Sequence, residues 1–153
     1  ITTIDSGTYL TLYFYYPDMP HDAESIFIDR VYHRVYLLTK ELEPILFRSS
    51  ISLDYVRDRG EYEWQYVTKL KNISYPTDAC ITMDGLRLSI LTYKALYEFP
   101  RVSDTSAIES FFNTPPTIIK LPELQFEAVT YLRRSTSRLL IPEGKFPPLY
   151  YIQ

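Results

Sequence analysis

Acids and bases gather around one stretch of this sequence in a way that invites a chemical reading. In "EYEWQYVTKLK", Glu61 and Glu63 alternate with Tyr62, Trp64 and Tyr66, and Asp54 and Asp58 stand just upstream. An extended chain sends alternate side chains to opposite faces, so Glu61, Glu63, Lys69 and Lys71 share a face. Asp54, Glu61 and Glu63 are the ingredients of a metal-dependent nuclease, which wants an acid on one strand and an acid with a lysine on the next. The Glu-x-Lys spacing of such sites does not occur in this hairpin, and a solvated charged face accounts for the same residues.

Other catalytic arrangements lack their parts. There is no GxSxG elbow, GxxxxGK[ST] loop, GxGxxG turn, HExxH helix or CxxC pair. His21, His33 and Cys80 are the only histidines and cysteine, too few for a closed zinc site. Cys80 sits in "DACITM" and reads as a small buried hydrophobe rather than a thiolate with a histidine base. His33 follows Asp29 by one helical turn and reads as a solvated helix contact, while His21 lies in a loop between Pro20 and Asp22. The expectation is no catalytic residue, no metal and no cofactor.

Binding chemistry has more to work with. Tyr62, Trp64 and Tyr66 form an aromatic face that either packs on Ile51, Leu53 and Tyr55 across a hairpin or on the first helix, or anchors a protein partner. Arg133, Arg134 and Arg138 in "RRSTSR" form a small basic patch suited to phosphates. Residues 1–29 carry five acids and no Lys or Arg, whereas residues 128–153 carry Arg133, Arg134, Arg138 and Lys145 against Glu143. Such ends suit attraction within one molecule or between copies. The element order read as far as Phe99 is one that RNA-recognition modules share, but their basic, glycine-containing signature is missing and Glu61 and Glu63 flank the aromatics.

Composition bounds these readings. Of 153 residues, 46% are hydrophobic, which excludes a mainly disordered chain, and a net charge of −3 gives no global argument for nucleic acid or an anionic membrane. No apolar run approaches the roughly 20 residues of a spanning helix, so no membrane insertion is expected. Fifteen Tyr against four Gly favour half-buried sheets and interfaces over loops that wrap a phosphate. A lone cysteine permits no internal disulfide and favours an intracellular setting, cytoplasm or nucleus; the "NIS" glycosylation pattern at Asn72 leaves secretion as the less favoured alternative. The opening "ITTIDSGTYLTLYF" has Asp5 and no basic start, unlike a signal peptide, and the missing initiator Met suggests a processed chain or one excised from a larger protein.

The elements expected to position these residues alternate in type. Thr8–Tyr16 reads as a strand. A long amphipathic helix is expected over about residues 22–43, from Ile26, Phe27, Val31, Val35, Leu38 and Leu42 at spacings of three and four, with Asp22 as cap and Pro44 as stop. Ser50–Val56 and Glu61–Lys71 read as a hairpin through "RDRG". Residues 79–98 read either as a hairpin turning at Asp84-Gly85 or, the preferred reading, as a helix from Asp84 to about Phe99. Further helices are expected at "SDTSAIESFFN", burying Ala107, Ile108 and Phe111, and at "PELQFEAVTYLRR", with a strand at "TIIKL" and an edge strand at "LYYI". No motif specific to a known family is present. The sum is one α+β domain over residues 1–153 with a mostly antiparallel sheet. Its expected role is non-enzymatic protein–protein interaction or assembly, with self-association, and nucleic-acid binding is the alternative.

Overall fold

The computed structural model describes residues 9–153; Thr8, at the start of the expected first strand, and the residues before it lie outside these. The described chain is mostly β. The first sheet holds β1 (Leu12–Tyr15), β2 (Ala23–Asp29), β3 (Arg34–Thr39), β4 (Ile45–Ser49) and β5 (Gly60–Lys69), in the order β1-β5-β4-β3-β2. The second holds β6 (Pro76–Ile81), β7 (Arg87–Thr92), β8 (Ala95–Pro100) and β9 (Thr117–Lys120) in chain order. The third holds β10 (Phe126–Tyr131), β11 (Arg138–Pro142) and β12 (Tyr150–Ile152). Neighbouring strands run antiparallel except β1 and β5, which are parallel. Among the described residues no helix is long and apolar enough to cross a membrane.

This architecture overturns the α+β expectation. The long helix of residues 22–43 is instead the β2–β3 hairpin. Ser25, Phe27 and Asp29 are buried while Ile26 and Ile28 face outward, the alternation of a strand. Ile26, Phe27, Ile28, Val35 and Tyr36 are β-branched or aromatic, types that lose rotamer freedom in a helix and pack well on a pleated surface. The turn closes through Asp29, whose carboxylate accepts the Val31 amide at 2.9 Å, and through His33 in the left-handed conformation (φ 46°). His33 and Asp29 are therefore not stacked on a helix.

The helix expected from Asp84 to about Phe99 is instead the strands β7 and β8, and the alternative reading, a hairpin of β6 and β7, is what forms. Its turn lies at Asp84-Gly85, with Gly85 at φ 71° and its amide donating to the Thr82 carbonyl. The misreading has a physical cause. Every residue of β7 from Leu88 to Thr92 is buried, so the strand is apolar on both faces and shows no alternation. The expected helix at "PELQFEAVTYLRR" is β10. An irregularity in register between Phe126 and Ala128 puts Phe126 and Val129 into one core, a spacing of three that mimics a helix. No strand forms over Ser50–Val56: β4 ends before it at Ser49, and Leu53–Tyr55 is a 3-10 turn capped by the Ser52 hydroxyl. The helix expected after Ser103 shrinks to the 3-10 helix Ile108–Asn113, which buries Ile108 and Phe111 but leaves Ala107 exposed.

The second sheet lies between the other two. One face places Leu88, Ile90 and Phe99 against Phe27, Tyr36 and Leu38 of the first sheet, with Ile108 and Phe111 closing the core. The other places Leu91 and Leu96 against Phe126, Val129 and Leu140 of the third. Fully burying one such side chain is worth about 1.5–3 kcal/mol, so the middle sheet anchors both cores.

Ion pairs sealed from water fix the layers at named points. Arg101, fully buried beyond the end of β8, donates to Asp29 at the end of β2 (3.0 Å), to the Ser106 carbonyl and to the Gly85 carbonyl, and its guanidinium lies over the Phe111 ring at 4.8 Å. Removing one partner of a buried pair leaves a charge without compensation, at a cost of about 3–5 kcal/mol. Asp29→Ala is therefore expected to lower unfolding free energy by about that amount in a urea titration. Adding Arg101→Met should restore part of the loss but not all, because the Gly85 and Ser106 carbonyls then lack their donor. A loss under about 1 kcal/mol for Asp29→Ala would show that the pair is not the clamp described.

Candidate interaction surfaces

The aromatic stripe of β5 is divided by its neighbours. Trp64 is buried and stacks on Phe14 of β1 at 4.4 Å, beside Val35 and Phe47. Tyr62 is half-buried, its ring 5.5 Å from Phe14 and its hydroxyl accepting the Arg57 amide at 2.9 Å. A Cβ at Gly60 would collide with that ring, so a larger residue there requires Tyr62 to shift. Tyr66 is 59% exposed and meets the Phe47 ring edge-on, centroids 6.4 Å apart. Across the strand pair, Trp64 lies opposite Ser49 and Tyr66 opposite Phe47, whereas the expected partners Ile51, Leu53 and Tyr55 follow the end of β4. The three aromatics are thus not one open platform.

The acids and the basic patch disperse as well. Asp54 pairs with His33 at 2.8 Å, Asp58 accepts the Thr11 amide, Glu61 is exposed and Glu63 half-buried. Among the described residues no group of three His, Cys, Asp or Glu side chains converges to hold a metal. Arg133 and Arg134 are exposed on the turn between β10 and β11, but Arg138 is buried in β11 and pairs with Glu98. Burial pushes the Cys80 thiol up to about 12, which disfavours the thiolate.

Two polar arrangements carry no motif in the sequence. Glu98 of β8 bonds Arg138 and Arg87, and accepts from Tyr131, whose hydroxyl also meets Ser89 at 2.7 Å. Burial works to raise the Glu98 pKa, but the hydrogen bonds and charge of Arg138, with Tyr131 and Arg87, outweigh it and hold the carboxylate ionised. This network joins the second and third sheets from within. The second arrangement is His21. Its imidazole is almost fully covered, bonded to Glu41 at 2.7 Å and Asp18 at 3.2 Å, and set against the Tyr16 and Phe47 rings. It fastens the segment 16–22 over the outer face of the first sheet. The only local signal was the pairing of a histidine with acids at Asp18 and Asp22, and Glu41 is brought in by the fold.

A concavity lies where β5 and the segment after it overhang the second sheet. This groove of about 690 Å³ has a floor of Leu70, Ile73, Tyr97, Phe99 and Phe112, with Pro115, Pro116 and Ile118 on one side. Its rim is polar: Lys69, Lys71, Asn72, Glu109 and Asn113. Lys69 is held by Glu43 at 2.6 Å. One border of the groove is β9, the outer strand of its sheet, whose Ile118 is 55% exposed while Ile119 packs into the core on the other face. An outer strand presents backbone donors and acceptors that no neighbour satisfies.

Burial alone lowers the His21 pKa, yet the hydrogen bonds and charges of Glu41 and Asp18 raise it above the ordinary imidazole value. Stability from a raised histidine is fully present below the unfolded pKa, about 6.5, and is lost as pH rises through the folded value. His21→Gln is therefore expected to be most destabilising near about pH 6 and progressively less so toward about pH 8.5, read from urea midpoints. A pH-independent difference would mean that His21 acts only as a packed neutral ring. Independently, Trp64 emission should be blue-shifted and resist acrylamide, and Tyr66→Ala should leave it so; ready quenching would contradict the stacking on Phe14. Comparison of the chain with protein-family models, with curated proteins and with solved structures finds no match.

Proposed function

We propose that this chain is a non-enzymatic protein-interaction module that receives an extended segment of a partner protein beside β9. The observation that carries the reading is the groove itself: an apolar floor running along the open edge of a sheet. An added strand would satisfy the free backbone groups of β9 and place every second side chain over Tyr97, Phe99 and Phe112. Main-chain bonds then give affinity and the floor gives preference for apolar residues at alternate positions. Lys71 on the rim is in no ion pair among the described residues, so an acid at one end of the segment is favoured. The tyrosine-rich surface, with Tyr13, Tyr15, Tyr66 and Tyr151 each more than half exposed, suits further contact at low entropic cost.

Nucleic-acid binding is the second reading, and the exposure of Arg133 and Arg134 on one turn is what favours it. Arg138 has no part in it, being neutralised by Glu98.

The test uses a fluorescein-labelled octapeptide of alternating Val and Ser ending in Asp, against a second peptide of the same composition with its Val residues contiguous. Anisotropy should rise only with the alternating peptide. Ile118→Asp or Phe112→Ala should weaken binding by about tenfold, equivalent to about 1.4 kcal/mol. Equal binding of both peptides, or no effect of either substitution, would sink the groove reading. Light scattering on the same protein separates a second copy as occupant: a dimer that Ile118→Asp dissolves would make the interaction homotypic.

A further inference from the structure

Turns from all three sheets meet at one end of the molecule. The β2–β3 turn (30–33), the β6–β7 turn (82–85) and the β10–β11 turn (132–137) are neighbours there, and Arg101 holds the first two together through Asp29 and Gly85. Tyr32 adds a hydrogen bond to the Thr105 carbonyl at 2.7 Å. Between the turns lies a cavity of about 500 Å³, lined by Arg30, by Ile81 and Met83, and by Thr130–Arg133. That size lies within the range of about 300–1,000 Å³ of small-molecule sites.

The charges of this cavity are both positive and come from different sheets. Arg30 and Arg133 are exposed, and neither is in an ion pair among the described residues, unlike Arg87, Arg101 and Arg138. The acids of the two neighbouring turns, Asp29 and Asp84, are engaged elsewhere. Asp29 is taken by Arg101, and Asp84 accepts from the Thr82 hydroxyl at 2.6 Å and the Leu86 amide at 3.0 Å. Like charges brought to one cavity repel one another, and an anion between them reverses the sign of that interaction. Guanidinium forks match phosphate oxygens, and a phosphate monoester carries a charge of about −1.5 to −2, close to the sum of two arginines. Ile81, Met83 and Leu132 supply apolar walls beside the arginines, and a methionine sulfur favours contact with an aromatic ring.

We propose that this cavity binds a small phosphate monoester with an aromatic body, its phosphate held by Arg30 and Arg133 and its ring against Met83. The site is separate from the groove beside β9, so neither proposal depends on the other.

Calorimetric titration with AMP, adenosine and inorganic phosphate tests it. AMP should bind, inorganic phosphate should bind at least tenfold more weakly, and adenosine should not bind measurably. Arg30→Gln and Arg133→Gln should each weaken AMP at least tenfold while leaving the melting temperature of the free protein unchanged, since neither side chain makes a hydrogen bond among the described residues. AMP binding that survives both substitutions, or its absence, would overturn the site. A single-stranded oligonucleotide that binds with steep salt dependence and affinity growing with length, where AMP fails, would overturn it in favour of a nucleic-acid surface.

Discussion

A guanidinium sealed from water must be neutralised, and at Arg101 that requirement ties four segments together. Its partners are Asp29 at the end of β2, Gly85 in the β6–β7 turn, Ser106 in the loop that follows, and the face of Phe111 in the 3-10 helix. Such a pair adds little net stability over a well-packed apolar substitute, because desolvation offsets the attraction. What it supplies here is position: apolar surfaces can slide over one another, whereas a buried guanidinium needs its acceptors in place. Gly85 belongs to the same constraint, since a Cβ there would lie 2.8 Å from an Arg101 nitrogen.

Glu98 does for the second and third sheets what Arg101 does for the first and second. It stands on β8 and meets Arg138 and Tyr131 from the third sheet, with Arg87 completing the shell. The middle sheet therefore has an apolar surface on each side and a polar pin to each neighbour. Both pins lie on or directly after β8, which makes that strand the reference for all three layers. Strands buried on both faces usually occur in parallel sheets covered by helices; here the covering layers are themselves sheets, and the middle sheet is antiparallel.

The surfaces left over follow from this stacking. The first sheet extends past the second on its β5 side, and the overhang is the groove bordered by β9. At one end of the stack the turns of three sheets come together, and the rigid strands beneath hold Arg30 and Arg133 beside one cavity. Neither feature belongs to any single hairpin. The aromatic stripe of β5, by contrast, is largely used up within its own sheet, since Phe14 covers Trp64 and leaves Tyr66 in water.

Some of this was legible in the residues. Tyrosine abundance and glycine scarcity pointed to sheets and surfaces, the alternation at Glu61–Lys71 marked β5, and Asp84-Gly85 carried a turn signal. Helices were misread for a physical reason: periodicity reports a strand only when one face is wet. β3 and β7 are covered on both faces, and register irregularities in β2 and β10 break their alternation, so their apolar residues fall at helical spacings. The sequence by itself determined the alternating aromatic and charged faces of β5 and the turn residues at Asp84-Gly85. Only the tertiary structure decided that Arg138 is a buried counter-ion while Arg30 and Arg133 share a cavity, because both depend on which distant strands come to lie side by side, and local residue order does not encode that distance.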